Sequence, residues 1–224
     1  MSPREEKILF QYNHVKNIIQ KKFIAVSKKH PVDEIEFLYS KGHRDFGENR
    51  VEELKLKSDD LSKKCPEIKW HFIGHLQSKK ISLLAKVSNL YAIHSIDSIE
   101  LLYKLVRKNF VNQIRCFLQV NTSKEVEKFG FRNEKNLLQA AKFMQGLKSD
   151  DFLLQGLMTM SKLRTVNFES DARKCFKKLC EMRDLINNEL GLELELSMGM
   201  SSDFAIALEY GTSWPRIGSK IFGE

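Results

Sequence analysis

Strand-length runs rich in β-branched and aromatic residues alternate with helix-length amphipathic runs along the chain from Phe23 onward. In order, the strand segments are KFIAVSK, HRDFGEN, KWHFIG, LYAIHSI, IRCFLQVN, FLLQGLMTM, LELSMGM and SWPRIGSKI. Each except the last is followed by a stretch of helical periodicity, such as VDEIEFLYSKG or SIELLYKLVRKN. A further helix is predicted over about residues 3–21, ahead of the first strand. Short βα units with no Pro/Gly/Ser-rich linker between them are satisfied by a closed parallel sheet. The fold expected is therefore α/β, a single (β/α)8 TIM-type barrel over residues 1–224 with an extra N-terminal helix. Periodicity alone leaves a doubly wound open sheet as the competing architecture.

A parallel barrel builds its ligand site at the C-terminal ends of its strands. Those ends are predicted to carry Lys28, Gly47-Glu48-Asn49, Gly74-His75, His94-Ser95, Asn121-Thr122, Met158-Thr159-Met160, Ser197 to Ser201, and Arg216-Ile217-Gly218. Period-two alternation puts Val26 and Lys28 on one face. If that face is the interior, Lys28 enters the mouth, is desolvated, and offers a neutral amine to an aldehyde carbonyl. The alternative is a solvated surface lysine in the cluster Lys28-Lys29-His30.

GMSSD and RIGS supply glycines, hydroxyls and backbone donors after the seventh and eighth strands, where barrels recurrently hold a phosphate. Either segment by itself also reads as ordinary turn and cap residues. Arg216 can aim a rigid fork of donors at a ligand's phosphate or ring nitrogen, or else bridge carboxylates at the rim. His71, His75 and His94 invite a metal reading, but no cysteine or carboxylate cluster completes a ligand set, so packing and ligand-side hydrogen bonding are expected instead. Met158, Met160, Met198 and Met200 read mainly as core.

Composition narrows the class further. Hydrophobic residues make up 42% and charged residues 29%, as in an ordinary globular protein. The net charge of +8 is spread over helices with acidic residues interleaved, without the aromatic spacing of a single-strand binder, so no nucleic-acid partner is expected. Four scattered cysteines suit reduced packing thiols. The N-terminal residues lack the apolar run of a signal peptide and no segment is long enough to span a bilayer, which predicts a cytoplasmic protein without a membrane partner.

The segments AVSK, HRDFGENRVEE, WHFIGHLQSKK, VNTSKEVEKFGF, LQGLMTM, SMGMSSD and RIGSKIFG, in this order, resemble the pyridoxal phosphate homeostasis proteins over almost the whole chain. The resemblance implies the fold-type III barrel shared with the corresponding domain of alanine racemase, and pyridoxal 5′-phosphate held as a Schiff base on Lys28. It further implies phosphate contacts from Ser201, Gly218 and Ser219, Arg216 near the cofactor, and Asn49, Met158 and Ser197 lining its pocket. Members are regarded as carriers or regulators of the free cofactor in vitamin B6 homeostasis, without an established reaction. Here Lys29-His30-Pro31 follows the lysine where the family usually has Thr-Lys-Pro, which places an extra charge beside the site, and the chain ends at Glu224, soon after the last strand.

An amino-acid racemase or decarboxylase using the same cofactor is the alternative function. Racemisation needs acid/base groups on both faces of the cofactor, and none of Tyr12, Tyr39, Tyr91, Tyr103 or Tyr210 falls at a predicted strand end. The expectation is a monomeric carrier whose partners are the cofactor and pyridoxal phosphate-dependent apoenzymes.

Overall fold

The computed structural model describes residues 1–123, 125, 127–162 and 165–223. The elements run α1 (Pro3–Ile19), β1 (Ile24–Val26), α2 (Val32–Ser40), β2 (Asp45–Glu48), α3 (Val51–Leu61), β3 (Lys69–Phe72), α4 (Ile81–Leu84), β4 (Leu90–Ile96), α5 (Ile99–Leu105), β5 (Ile114–Gln119), α6 (Glu134–Gln145), β6 (Phe152–Met158), α7 (Phe168–Leu190), β7 (Glu195–Ser197), α8 (Phe204–Glu209), β8 (Arg216–Ile217) and α9 (Ser219–Phe222). Local chemistry sets several of these limits. Ser2 and Glu5 form a capping box around Pro3 at the start of α1, and α7 stops at Gly191, whose φ of 65° suits glycine.

All eight strands pair in parallel in one sheet of order β7-β6-β5-β4-β3-β2-β1-β8. The two ends of that order meet at an isolated parallel bridge between Met200 and Arg216, where the Arg216 N–H donates to the Gly199 carbonyl at 2.9 Å. The sheet is thus a nearly closed barrel, as the repeating pattern predicted, and the open-sheet alternative is excluded. The eighth segment differs from its expected form. Only Arg216 and Ile217 are extended, because Pro215 has no N–H for a ladder and Ser219–Phe222 turns into a last helical turn.

Strand parity divides the core into two layers. Ile24, Val26, Ala92, Phe117, Met158 and Trp214 pack together inside the barrel, whereas Ala25, Phe46, Trp70, Leu118 and Leu157 pack under the surrounding helices. Gly156 lets β6 and β7 close up, since a Cβ there would stand 2.1 Å from the Glu195 carbonyl oxygen.

At the N-terminal end of the barrel, His43 is buried among Tyr12, Phe23 and Phe46 and makes a 2.9 Å hydrogen bond through Nε2 to the Asp45 carbonyl. Burial pushes its pKa down to about 4. The unfolded chain therefore binds the proton first as the pH falls, so this contribution is complete above about 6.5 and is lost on the way down to about 4. Chemical denaturation at a series of pH values should show up to about 3 kcal/mol of His43-dependent loss over that window. His43→Phe should flatten the profile; an unchanged profile would remove His43 as its source.

Candidate functional site

The C-terminal end of β1 is fastened from below by a buried charged cluster. Ser27 donates through Oγ to Glu48 Oε1 at 2.6 Å. Lys57 on α3 donates through Nζ to the Ser27 carbonyl, Glu48 Oε1 and Glu53 Oε1, each at 2.8 Å. The chain then turns at Lys29, whose φ is 65° and whose N–H donates to the same Glu53 oxygen at 2.8 Å. Burial, opposed by Lys57, leaves the Glu48 carboxyl above its ordinary pKa.

Lys28 lies between these fixed points and is exposed. The desolvation that an interior position would bring is not found, and the solvated alternative fits, because β1 ends at Val26 and Lys28 already belongs to the turn, where water reaches it. Ile24 and Val26 do face the interior as parity required. Lys29 is likewise exposed, while His30 turns away, stacked on Phe222 at 4.5 Å and 3.1 Å from Glu34.

At β8 the Arg216 side chain is buried. Nη1 donates to the Ser197 carbonyl and to Ser197 Oγ, both at 2.8 Å, and Nη2 donates to the Thr159 carbonyl at 2.9 Å. Burial lowers its pKa to about 10, which still leaves it a cation at neutral pH. The alternative of an arginine bridging rim carboxylates does not hold, since its acceptors are two carbonyls and a hydroxyl. Ser197 and Met158 are register partners at the last positions of β7 and β6, and Met158 belongs to the inner apolar cluster.

The loops after β7 and β8 are tied together by the Gly218 N–H, which donates to Ser201 Oγ at 3.2 Å. Asp203 steadies the first of them, accepting from the Met200 N–H at 2.6 Å and from the Ser161 hydroxyl. Gly199 allows its φ of 91° and a packing distance that a Cβ would reduce to 2.6 Å from Ala207 Cβ. Gly218 stands over the end of β1, where a Cβ would contact Val26 at 3.4 Å.

The structure thus gathers Arg216, Ser197, Met158, Ser201 and Gly218 around β6, β7, β8 and the end of β1. Ser219 is exposed as the first residue of α9. Asn49 is exposed after β2, with its backbone pressed on Gly74, and no described bond ties its side chain to the Arg216 group. A surface cleft of about 810 Å³ between Val166 and Tyr210 shares none of these residues.

Of the three histidines weighed from sequence, His71 and His94 bond to one another inside the barrel at 2.9 Å, whereas His75 pairs with Asp97 at 3.2 Å and stacks on Phe129. Of the supporting residues, Glu48 and Thr159 stood among the predicted strand ends without an assigned role, and Lys57 and Glu53 were not singled out from the sequence. Lys57 carried a signal, for it interrupts the buried stripe Val51, Leu54, Ser58, Leu61 of α3.

No protein-family model matches the chain. The pyridoxal phosphate homeostasis protein of Schizosaccharomyces pombe is 41% identical over 204 residues, covering 90% of this chain and 83% of that one. Its human counterpart is 36% identical, covering 92% and 77%. The chain belongs to the pyridoxal phosphate homeostasis protein family. The structure of PipY of Synechococcus elongatus, solved with PLP bound, superposes with a TM-score of 0.83 at 30% identity, covering 96% of this chain and all of that one. Alanine racemase of Oenococcus oeni shares the fold alone, with a TM-score of 0.70 at 14% identity over 98% of this chain and 62% of the racemase.

Lys57 neutralises two carboxylates beneath the site. Lys57→Met should destabilise the protein by about 3–5 kcal/mol in denaturant titrations, because Glu48 is left buried without its partner. Adding Glu48→Gln should recover at least about 1 kcal/mol through coupling; strictly additive losses would mean that the two side chains do not support each other.

Proposed function

We propose that the chain is a cytoplasmic, monomeric carrier of pyridoxal 5′-phosphate that holds the cofactor through Lys28 and passes it to apoenzymes, serving homeostasis of the cofactor without turning over a substrate. The observation that carries this reading is the joint placement of a buried, cationic Arg216 and the tied Ser201–Gly218 loops beside the end of β1, in a family relative of PipY, whose structure holds PLP.

The residues present fit that group. Lys28 offers an exposed primary amine for the aldehyde. Ser201, Gly218 and Ser219 supply hydroxyl and backbone donors for the phosphate, and Arg216 supplies a fixed donor for the ring nitrogen. Val26 and Met158 give an apolar floor, while Ser197 fixes the arginine and Asn49 borders the β2 side. When bound, pyridoxal phosphate supplies an aldehyde for covalent attachment and a ring able to stabilise negative charge.

Arg216 argues for storage over catalysis. A guanidinium held in place by three acceptors does not give up its proton at neutral pH, and a cation beside the ring nitrogen disfavours protonation there, which weakens the ring as an electron sink. The tyrosines also lie away from the mouth. Tyr12, Tyr39 and Tyr103 are on helices, Tyr91 is near the start of β4, and Tyr210 follows α8. Among the described residues no helix is long and apolar enough to cross a membrane.

Borohydride reduction of protein loaded with pyridoxal phosphate, followed by peptide mass spectrometry, should place the adduct on Lys28. Lys28→Ala should abolish the visible absorption band while shifting stability by no more than about 0.5 kcal/mol, as expected for an exposed side chain. An adduct on Lys29 with none on Lys28 would overturn the attachment, and robust racemisation of amino acids by the loaded protein would overturn the carrier assignment.

A further inference from the structure

Below the mouth, a row of linked polar side chains crosses the barrel interior. Asp45 opens β2 at the far end, with its side chain 15% exposed, and its Oδ1 lies 3.1 Å from His71 Nε2. His71 Nδ1 lies 2.9 Å from His94 Nε2, and His94 Nδ1 lies 2.9 Å from Ser197 Oγ. Ser197 Oγ then receives Arg216 Nη1 at 2.8 Å. Five side chains from β2, β3, β4, β7 and β8 are linked end to end.

The chemistry of the two termini fixes the order of the hydrogens. A guanidinium only donates and a carboxylate only accepts. Both histidine rings are fully buried, which disfavours their charged forms. At His71 the bond to Asp45 and its charge oppose this, but burial, with Lys69 and Arg115 acting the same way, keeps its pKa below the ordinary value. At His94 Arg216 adds to the effect of burial. Burial also opposes ionisation of Asp45, but its bond to His71 and the nearby Lys69 cation act the other way, and the carboxyl stays below its ordinary pKa. A neutral imidazole has one donor and one acceptor. With Asp45 accepting from His71 Nε2–H, His71 Nδ1 must accept from His94 Nε2–H, His94 Nδ1 must accept from the Ser197 hydroxyl, and Ser197 Oγ is left to accept from Arg216. The Ser197 hydroxyl also lies 3.5 Å from the Trp214 carbonyl, a longer contact than the 2.9 Å to His94 Nδ1, and with the shorter bond taken all the links point the same way.

The rings are also held in place. His94 stacks on Phe117 at 4.2 Å with an interplanar angle of 8°, and His71 sits between Tyr91 and Trp214 at 5.2 and 5.1 Å. Hydrogen bonds arranged head to tail between opposite charges polarise one another.

We infer that Asp45, His71, His94 and Ser197 form a proton-ordered relay through the barrel that positions Arg216, so that ligand binding at the mouth is felt at the histidines and at the carboxylate on the far side. The hydrogen order stands on the protein alone; the response to ligand rests on the cofactor reading above. Asp45, His71 and His94 are positioning residues, since none of them reaches the mouth.

The test is nitrogen-15 NMR of histidine-labelled protein with no cofactor added. Long-range proton–nitrogen correlations at neutral pH should show His71 and His94 as neutral Nε2–H tautomers, and an Nδ1–H tautomer or an imidazolium at either ring overturns the relay. Loading with pyridoxal phosphate should then move the ring nitrogens of both histidines. Ser197→Ala should cut that response to less than half, and Ser197→Thr, which keeps the hydroxyl, should restore it. Equal responses in parent and Ser197→Ala, or none in a parent that shows the visible band, overturn transmission. If no visible band forms in the parent, the cofactor reading falls and the tautomers alone judge the relay.

Discussion

The structure turns on burying one cation where the barrel closes. The backbone N–H of Arg216 bonds to Gly199 and completes the ring of strands, while its guanidinium bonds to Ser197 and to the Thr159 carbonyl of the β6 loop. A buried guanidinium without partners would carry a desolvation penalty of several kcal/mol. It is met by carbonyl and hydroxyl acceptors in direct contact, with the buried Asp203 carboxylate acting on it only through space. Closure of the fold and the electrostatic character of the mouth therefore come from one residue. Pro215 and the two-residue length of β8 follow from this, since the segment needs only enough ladder to deliver Arg216 and then turn at Gly218.

The other side of the mouth is built on the opposite plan. Beneath Lys28, the positive charge of Lys57 is spent on Glu48, Glu53 and the Ser27 carbonyl, so the turn from Ser27 to Lys29 is fixed while its apex side chain stays in water. A rigid base with a free amine suits attachment that must also be reversible. Burying the amine would favour its neutral, attacking form, but it would also close the route by which a cargo leaves. The exposed position exchanges some reactivity for access.

Much of this was legible in the chain. Alternation assigned Ile24 and Val26 to the interior, and the unusual residues at strand ends marked the open end of the barrel. The ordered motifs carried the family, which the relatives bear out. What sequence could not supply was anything that depends on approach between distant strands. Whether Lys28 is buried or solvated stayed open, because the pattern shows parity but not where a ladder stops, and its exposure matches the solvated alternative. Lys57 was not singled out, although its place in the apolar stripe of α3 marked it. The bonds joining Asp45, His71, His94 and Ser197 span up to 103 residues of sequence and exist only because the barrel brings those strands together.

Arg216 and the polar row behind it also bear on why a fold shared with an alanine racemase serves here in homeostasis. Enzymes that exploit the cofactor's electron-accepting ring gain from a proton on its nitrogen, and on the proposed reading both features would oppose one: Arg216 would stand as the donor to that nitrogen, and the hydrogens behind it all point away from the mouth toward Asp45. Reversing that order would require a donor in place of the carboxylate at the far end. On the proposed reading, the polarity that holds Arg216 charged and the openness that leaves Lys28 in water would favour the same outcome, a ligand gripped by its polar groups, little activated, and free to depart.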